Sequence, residues 1–200
     1  WRRDCLAIAV GSASVAAFAP IFFWPLLFLT LPVFVWLIDA SSGWRSAARA
    51  GFFFGFGFFF FSLFWVGEAF LVEADRFAIL LPFAVTLLPT GMALYWAAAA
   101  AIARKFWPSG FARVLVFALV LTLAEWLRGH LFTGLPWNLL GYALTYPLPL
   151  MQSASVVGVY GLTAIATLLF TAPLVVMEDA RNDARRAAPI ALAIAIVPLV

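Results

Sequence analysis

The sequence has 200 residues, of which 66% are hydrophobic and 10% charged, with a formal charge of +3. A soluble domain carries about 25% charged and about 45–50% apolar residues. A mean hydropathy of +1.07 therefore excludes an ordinary water-soluble globule, because so much apolar surface needs lipid as its solvent.

Taken in chain order, the first residues are Trp1-Arg2-Arg3-Asp4-Cys5. Basic residues before an apolar run imitate a signal peptide, but further apolar runs follow at once, which predicts a retained first helix. Cys5 is the single cysteine; it permits no internal disulfide and, with no CxxC or histidine partner, makes a poor metal ligand. No metal or cofactor is expected. Apolar segments then fall near residues 6–19, 21–38, 51–67, 77–103, 111–127, 156–177 and 187–200. A helix needs about 20 apolar residues to cross a hydrocarbon core of about 30 Å, so the shorter segments lean on interfacial aromatics and local thinning. No alternation of period two runs through them, which argues against a barrel. The expected fold class is all-α, a polytopic membrane helical bundle of about seven transmembrane helices.

The first pair needs argument. As one helix, residues 6–38 would reach about 50 Å at 1.5 Å per residue, too long for a single crossing. Pro20 and Pro25 bracket Ile21-Phe22-Phe23-Trp24 in the middle. Proline breaks the backbone ladder and a Trp-Phe cluster favours an interface. Two short crossings joined by a tight aromatic turn are therefore expected.

With seven crossings, Arg2, Arg3, Arg45, Arg49, Arg104, Lys105, Arg113, Arg181, Arg185 and Arg186 fall on one side, and only Arg76 and Arg128 on the other. The basic side is the cytoplasmic one. This clustering between spans reads as orientation signals, and no nucleic-acid partner is expected. The N-terminus is then cytoplasmic, and residues 68–76 and 128–155 face outward. Glu68, Glu73, Asp75 and Glu125 lie at or near that outer face. The chain begins with Trp1 and stops at Val200 inside its last apolar run, so it is expected to be the N-terminal piece of a longer protein.

Three stretches stand out. Residues 51–64 are rich in phenylalanine, and Gly51 with Gly55 forms a small-xxx-small pair that lets a neighbouring helix approach. Glu68 follows the apolar run ending at Trp65; it is either a polar group of a substrate cavity or a solvated loop carboxylate. Residues 125–142 hold Glu125, Arg128 and His130, the only histidine, with three glycines and a proline that end the helix near Gly129. Glu125 and Arg128, three apart, can pair on one helix face. A guanidinium at the membrane boundary also stands at the height of a phospholipid phosphate, which it can grip bidentately. Trp137 and Tyr142 are natural interface anchors. The competing interpretation is an interfacial re-entrant loop with a structural ion pair. His130 has no Ser or Cys nucleophile beside it, so no complete catalytic set is present and no catalytic residue is assigned.

The run from Glu125 to Asn138, Glu-Trp-Leu-Arg-Gly-His-Leu-Phe-Thr-Gly-Leu-Pro-Trp-Asn, continuing to Gly141-Tyr142, resembles the signature loop of apolipoprotein N-acyltransferases. Residues 63–70 are similar to the end of that family's third helix, and Ala17-Phe18-Ala19-Pro20 with Trp24-Pro25 fits its first hairpin. The resemblance implies acyl transfer from a phospholipid donor to the N-terminal cysteine of a diacylglyceryl-modified apolipoprotein, by way of a thioester. The thioester cysteine, in a Glu-Lys-Cys triad, belongs to a nitrilase-like periplasmic domain that would follow residue 200. Residues 1–200 would be the transmembrane domain of a multi-pass inner-membrane protein, expected to be a monomer surrounded by membrane lipid, and Cys5 is not the triad cysteine. The resemblance further implies that Arg128, Trp137 and Asn138 line the head-group region, with Glu125 orienting Arg128. The alternatives are a transporter or channel for a small molecule, which should show an internal repeat with broken helices at mid-membrane, and a lipid-binding scaffold.

Overall fold

A computed structural model of the chain describes residues 1–146 and 148–182, with burial for 1–146 and 148–174. Every regular element among the described residues is helical. Helix α1 (Arg2–Ser14) continues into a 3-10 turn, Val15–Ala17. The chain then reverses over residues 18–23, where Phe22 takes φ 53° and the Phe23 N–H donates to the Ala16 carbonyl at 2.8 Å. It returns through a 3-10 turn, Trp24–Leu26, into α2 (Leu27–Asp39). The expected pair of helices joined by an aromatic turn is present as geometry. Each of the two α-helices has only 13 residues.

The third apolar segment differs from the expected unbroken run. Helix α3 (Trp44–Ser62) stops at Leu63, and the 3-10 segment Phe64–Phe70 departs from it at 49°. The short α4 (Ala74–Phe77), a 3-10 turn and α5 (Leu81–Lys105) together make a 32-residue stretch, Ala74–Lys105. Next come α6 (Ala112–His130), a 3-10 turn at Leu140–Leu144, α7 (Leu148–Gln152) and α8 (Ala154–Asn182). Gly158, at φ 67°, breaks α8 near its start. The outward loop expected over 128–155 is thus largely helical or 3-10 on either side of residues 131–139.

By length and apolarity, Ala74–Lys105 and Ala154–Leu174 are long enough to cross a membrane, and the bent pair Trp44–Ser62 with Phe64–Phe70 makes a third. Helix α6 has 19 residues but carries Arg113, Glu125 and Arg128, which dilute its apolarity. The last expected segment, 187–200, and Arg185 and Arg186 lie outside the described residues.

The bundle is close-packed where glycine removes side chains. A Cβ at Gly51 would lie 2.7 Å from the Ala100 Cβ, and one at Gly55 would lie 3.1 Å from the Trp96 Cβ, so this pair lets α3 lie directly on α5, as its spacing predicts. Gly57, on another face of α3, accepts a hydrogen bond from Ser12 of α1 at 3.4 Å. Between these contacts lies an aromatic core. Phe34 stacks on Phe54 at 4.1 Å, Trp96 lies 5.2 Å from Phe58 and 5.4 Å from Phe59, and Phe117 meets Phe34 edge-on at 5.4 Å. Offset-stacked and T-shaped pairs of this kind each add about 0.5–1.5 kcal/mol beyond area burial.

One end of the bundle collects the basic clusters at residues 2–3, 45–49, 104–105 and 113. Arg49 of α3 grips Asp4 of α1 through two bonds of 2.8 and 2.7 Å, and Arg3 donates to the Ala40 carbonyl at 2.7 Å. Asp39, ending α2, accepts from the Trp107 indole and pairs with Arg113 of α6 at 3.0 Å. The opposite end carries the aromatic turn, the bent Phe64–Phe70 segment and residues 131–146.

Gly51→Ala is expected to lower stability by about 1–3 kcal/mol through overpacking, measured by thermal unfolding in detergent. Gly91→Ala in α5, where an added Cβ meets nothing within 4 Å, should instead raise it by about 0.5–1 kcal/mol.

Candidate functional site

The site grows from the last turns of α6. Helical spacing of three places Glu125 and Arg128 on one face, and both are enclosed, at 0% and 1% exposure. Arg128 Nη2 donates to Glu125 Oε2 at 2.5 Å and Nε to Oε1 at 3.3 Å. The Trp96 indole N–H donates to the same Oε1. Arg128 Nη1 donates to the Leu135 carbonyl at 2.5 Å and lies 4.0 Å from the Met92 sulfur, while the guanidinium carbon sits 4.9 Å from the Phe59 ring centroid. A buried ion pair survives only when its remaining donors and lone pairs are met, and this one is met by three other elements.

The segment after α6 folds back to supply one of those partners. Gly134 takes φ 68° and packs so tightly on Gly129 that an added Cβ would lie 2.9 Å from the Gly129 carbonyl carbon. This approach brings the Leu135 N–H to the Arg128 carbonyl at 3.0 Å and the Leu135 carbonyl over the guanidinium. Asn138, at φ 51°, donates from Nδ2 to the Ser62 carbonyl at 3.1 Å. That carbonyl ends α3, where the break at Leu63 removes its helical partner. The exposed Trp137 ring lies 5.5 Å from Trp65 on the bent segment. Tyr142 donates to the Pro136 carbonyl at 3.2 Å, and the Gly141 N–H to Thr163 of α8 at 3.2 Å.

Together these elements surround a cleft of about 380 Å³, lined by Trp65, Val66, Leu88, Met92, Tyr95, Arg128, Thr133 and Trp137 among others. Arg128 and Trp137 line it directly. Glu125 lies behind Arg128, and Asn138 fastens the loop to α3. The pairing read from the spacing of Glu125 and Arg128 is present, with the guanidinium committed to protein acceptors. Glu68 is exposed on the bent segment. His130 is exposed too, with Nδ1 2.7 Å from the Trp126 carbonyl and its ring 4.5 Å from that of Trp126; neither lines the cleft. Sequence reading missed Phe59, Met92, Tyr95 and Trp96, which converge here from α3 and α5. A usable signal was Trp96 itself, a hydrogen-bond donor heading five consecutive alanines.

The cleft wall offers apolar surface, one paired cation and two hydroxyls, a chemistry that binds an amphiphile. Cys5, an exposed thiol, stands on the first helix at the basic end. Residues 10–172 match the family described as "Apolipoprotein N-acyltransferase N-terminal domain". The chain belongs to the apolipoprotein N-acyltransferase family. It is 47% identical to a relative of that name from Rhodopseudomonas palustris over 98% of this chain, and 45% identical to one from Bradyrhizobium diazoefficiens over 100% of it. A Brucella melitensis relative is 45% identical over 86% of this chain. The chain spans 38%, 38% and 34% of the lengths of these three relatives. Within this family's N-terminal domain, the motif that carried the resemblance is the segment that walls the cleft.

Removing one partner of an enclosed pair strands the other charge. Glu125→Ala is expected to cost about 3–5 kcal/mol, whereas Glu125→Leu with Arg128→Met together should cost clearly less than Glu125→Ala alone; unfolding of the purified single and double variants measures the difference.

Proposed function

We propose that this chain is the membrane domain of an enzyme that moves an acyl chain from a phospholipid to the N-terminal diacylglyceryl-cysteine of an apolipoprotein. Residues 1–200 form this domain, which crosses the inner membrane seven times as a monomer with its N-terminus in the cytoplasm. A nitrilase-like periplasmic domain after residue 200 carries the thioester cysteine. The cleft beneath residues 131–138 receives the lipid substrates. Arg128, Trp137 and Asn138 form its head-group region, and Glu125 holds Arg128 in place.

The observation that carries this reading is an apolar cleft at the end of the bundle remote from the basic clusters, walled by the family's own motif. Positive clusters mark the cytoplasmic side, so the cleft opens toward the periplasmic leaflet. Two lipids that react there gain from being held in register, because positioning removes translational entropy from the reaction.

Two measurements test it. In a Cys5→Ser background, Trp137→Cys should be labelled by a membrane-impermeant thiol reagent from the periplasmic face; protection there with labelling from the cytoplasm would reject the topology. In the protein at its native length, Trp137→Ala should lower acyl transfer from phospholipid up to about tenfold, in line with about 0.5–1.5 kcal/mol for an aromatic contact of this kind; unchanged transfer would remove Trp137 from the site.

A further inference from the structure

The cleft does not end at Arg128. Met92, Tyr95, Leu131 and Phe132 line both it and a second groove of about 540 Å³ between α5 and α6, whose other walls are Gly91, Leu94, Ala98 and Leu127. Tyr95 stands at the junction of the two. It is half-buried, and among the described residues its hydroxyl has no hydrogen-bond partner. Thr86 and Thr90 on the same helix differ, since they donate back to the Pro82 and Thr86 carbonyls at 2.6 and 2.7 Å; a phenol is too long to do so. Its oxygen is accessible rather than sealed in the bundle, so it takes an acceptor from whatever fills the two spaces.

We propose that the Tyr95 hydroxyl donates a hydrogen bond to the acyl-ester carbonyl of a lipid whose hydrocarbon chain lies in the groove along Leu94, Ala98 and Leu127. This rests on the reading of the cleft as a site for acyl lipids, and adds to it the group that distinguishes an ester. Three features select that occupant. The groove is almost wholly apolar and continuous with the cleft, which fits a chain attached to a more polar head. The only charged side chain among the described residues lining either space is Arg128, and its guanidinium already serves Glu125 and the Leu135 carbonyl. A neutral acceptor therefore suits the junction better than an anion, and a carbonyl joined directly to a hydrocarbon chain supplies it where the chain begins.

The test compares 1-palmitoyl-2-oleoyl phosphatidylethanolamine with its dialkyl-ether counterpart, which has the same chains and no carbonyls. Binding to the native-length protein is read by native mass spectrometry, without turnover. The unmodified protein should favour the ester about three- to tenfold, the worth of one neutral hydrogen bond. Tyr95→Phe should erase that preference and leave ether binding as it was. Ala98→Trp, which fills the groove, should weaken both lipids equally. An ester preference that persists in Tyr95→Phe, equal loss of both lipids in that variant, or no preference in the unmodified protein would each overturn the inference. Acyl-enzyme formation is assayed separately: its absence with the ester preference intact would reject the transferase reading and leave the role of Tyr95 standing.

Discussion

A charge pair sealed inside the bundle is the constraint around which the rest is arranged. Bringing a carboxylate and a guanidinium out of water costs several kcal/mol per ion unless geometry and further hydrogen bonds repay it. Here Glu125 is met by Arg128 and Trp96, and Arg128 by Glu125, Leu135 and the face of Phe59. Those partners come from α3, α5, α6 and the segment after it. None of the four can shift far without exposing an unmet charge. The fold at this end is therefore set by polar satisfaction, whereas at the middle it is set by glycine contacts and stacked rings.

The same pair links packing to the site. Trp96 belongs to the aromatic core through Phe54, Phe58 and Phe59, and its indole N–H is what Glu125 accepts. The carboxylate aims the guanidinium, and the guanidinium draws in the Leu135 carbonyl. This fixes residues 131–136 over the end of α6 and sets where Trp137 and Asn138 begin. Asn138 then reaches α3 at its break. A chain of contacts thus runs from the core to both lips of the cleft.

Much of this was legible in the residues. The small-xxx-small spacing of Gly51 and Gly55 gave the α3–α5 contact, the i,i+3 spacing gave the ion pair, and Pro20 with Pro25 gave the first reversal. The basic clusters at residues 2–3, 45–49, 104–105 and 113 meet at one end as their alternation between apolar runs requires. The family was legible from the 125–142 run, because its glycines and proline impose a particular loop. What could not be read is the partner set of the Glu125–Arg128 pair. Phe59 and Met92 lie 69 and 36 positions from Arg128, Trp96 lies 29 from Glu125, and their periodicity is that of any buried helix. The break of α3 at Leu63 was hidden for a related reason: no proline or glycine marks it, and its stabilising bond comes from Asn138, far along the chain. A guanidinium near a membrane boundary looks the same in sequence whether it faces a phosphate or a neighbouring carboxylate.

Asp39 makes a second clasp at the basic end. By holding Trp107 and Arg113 it ties α2 to the start of α6 and to the connection that follows α5. Arg113 and Leu131 are separated by about 27 Å of helix at 1.5 Å per residue. Toward the far end of that length the Trp96 indole holds Glu125 across the same two helices, so α5 and α6 are fastened there as well as at Asp39. The groove beside that bond is in this sense a slot with pinned walls.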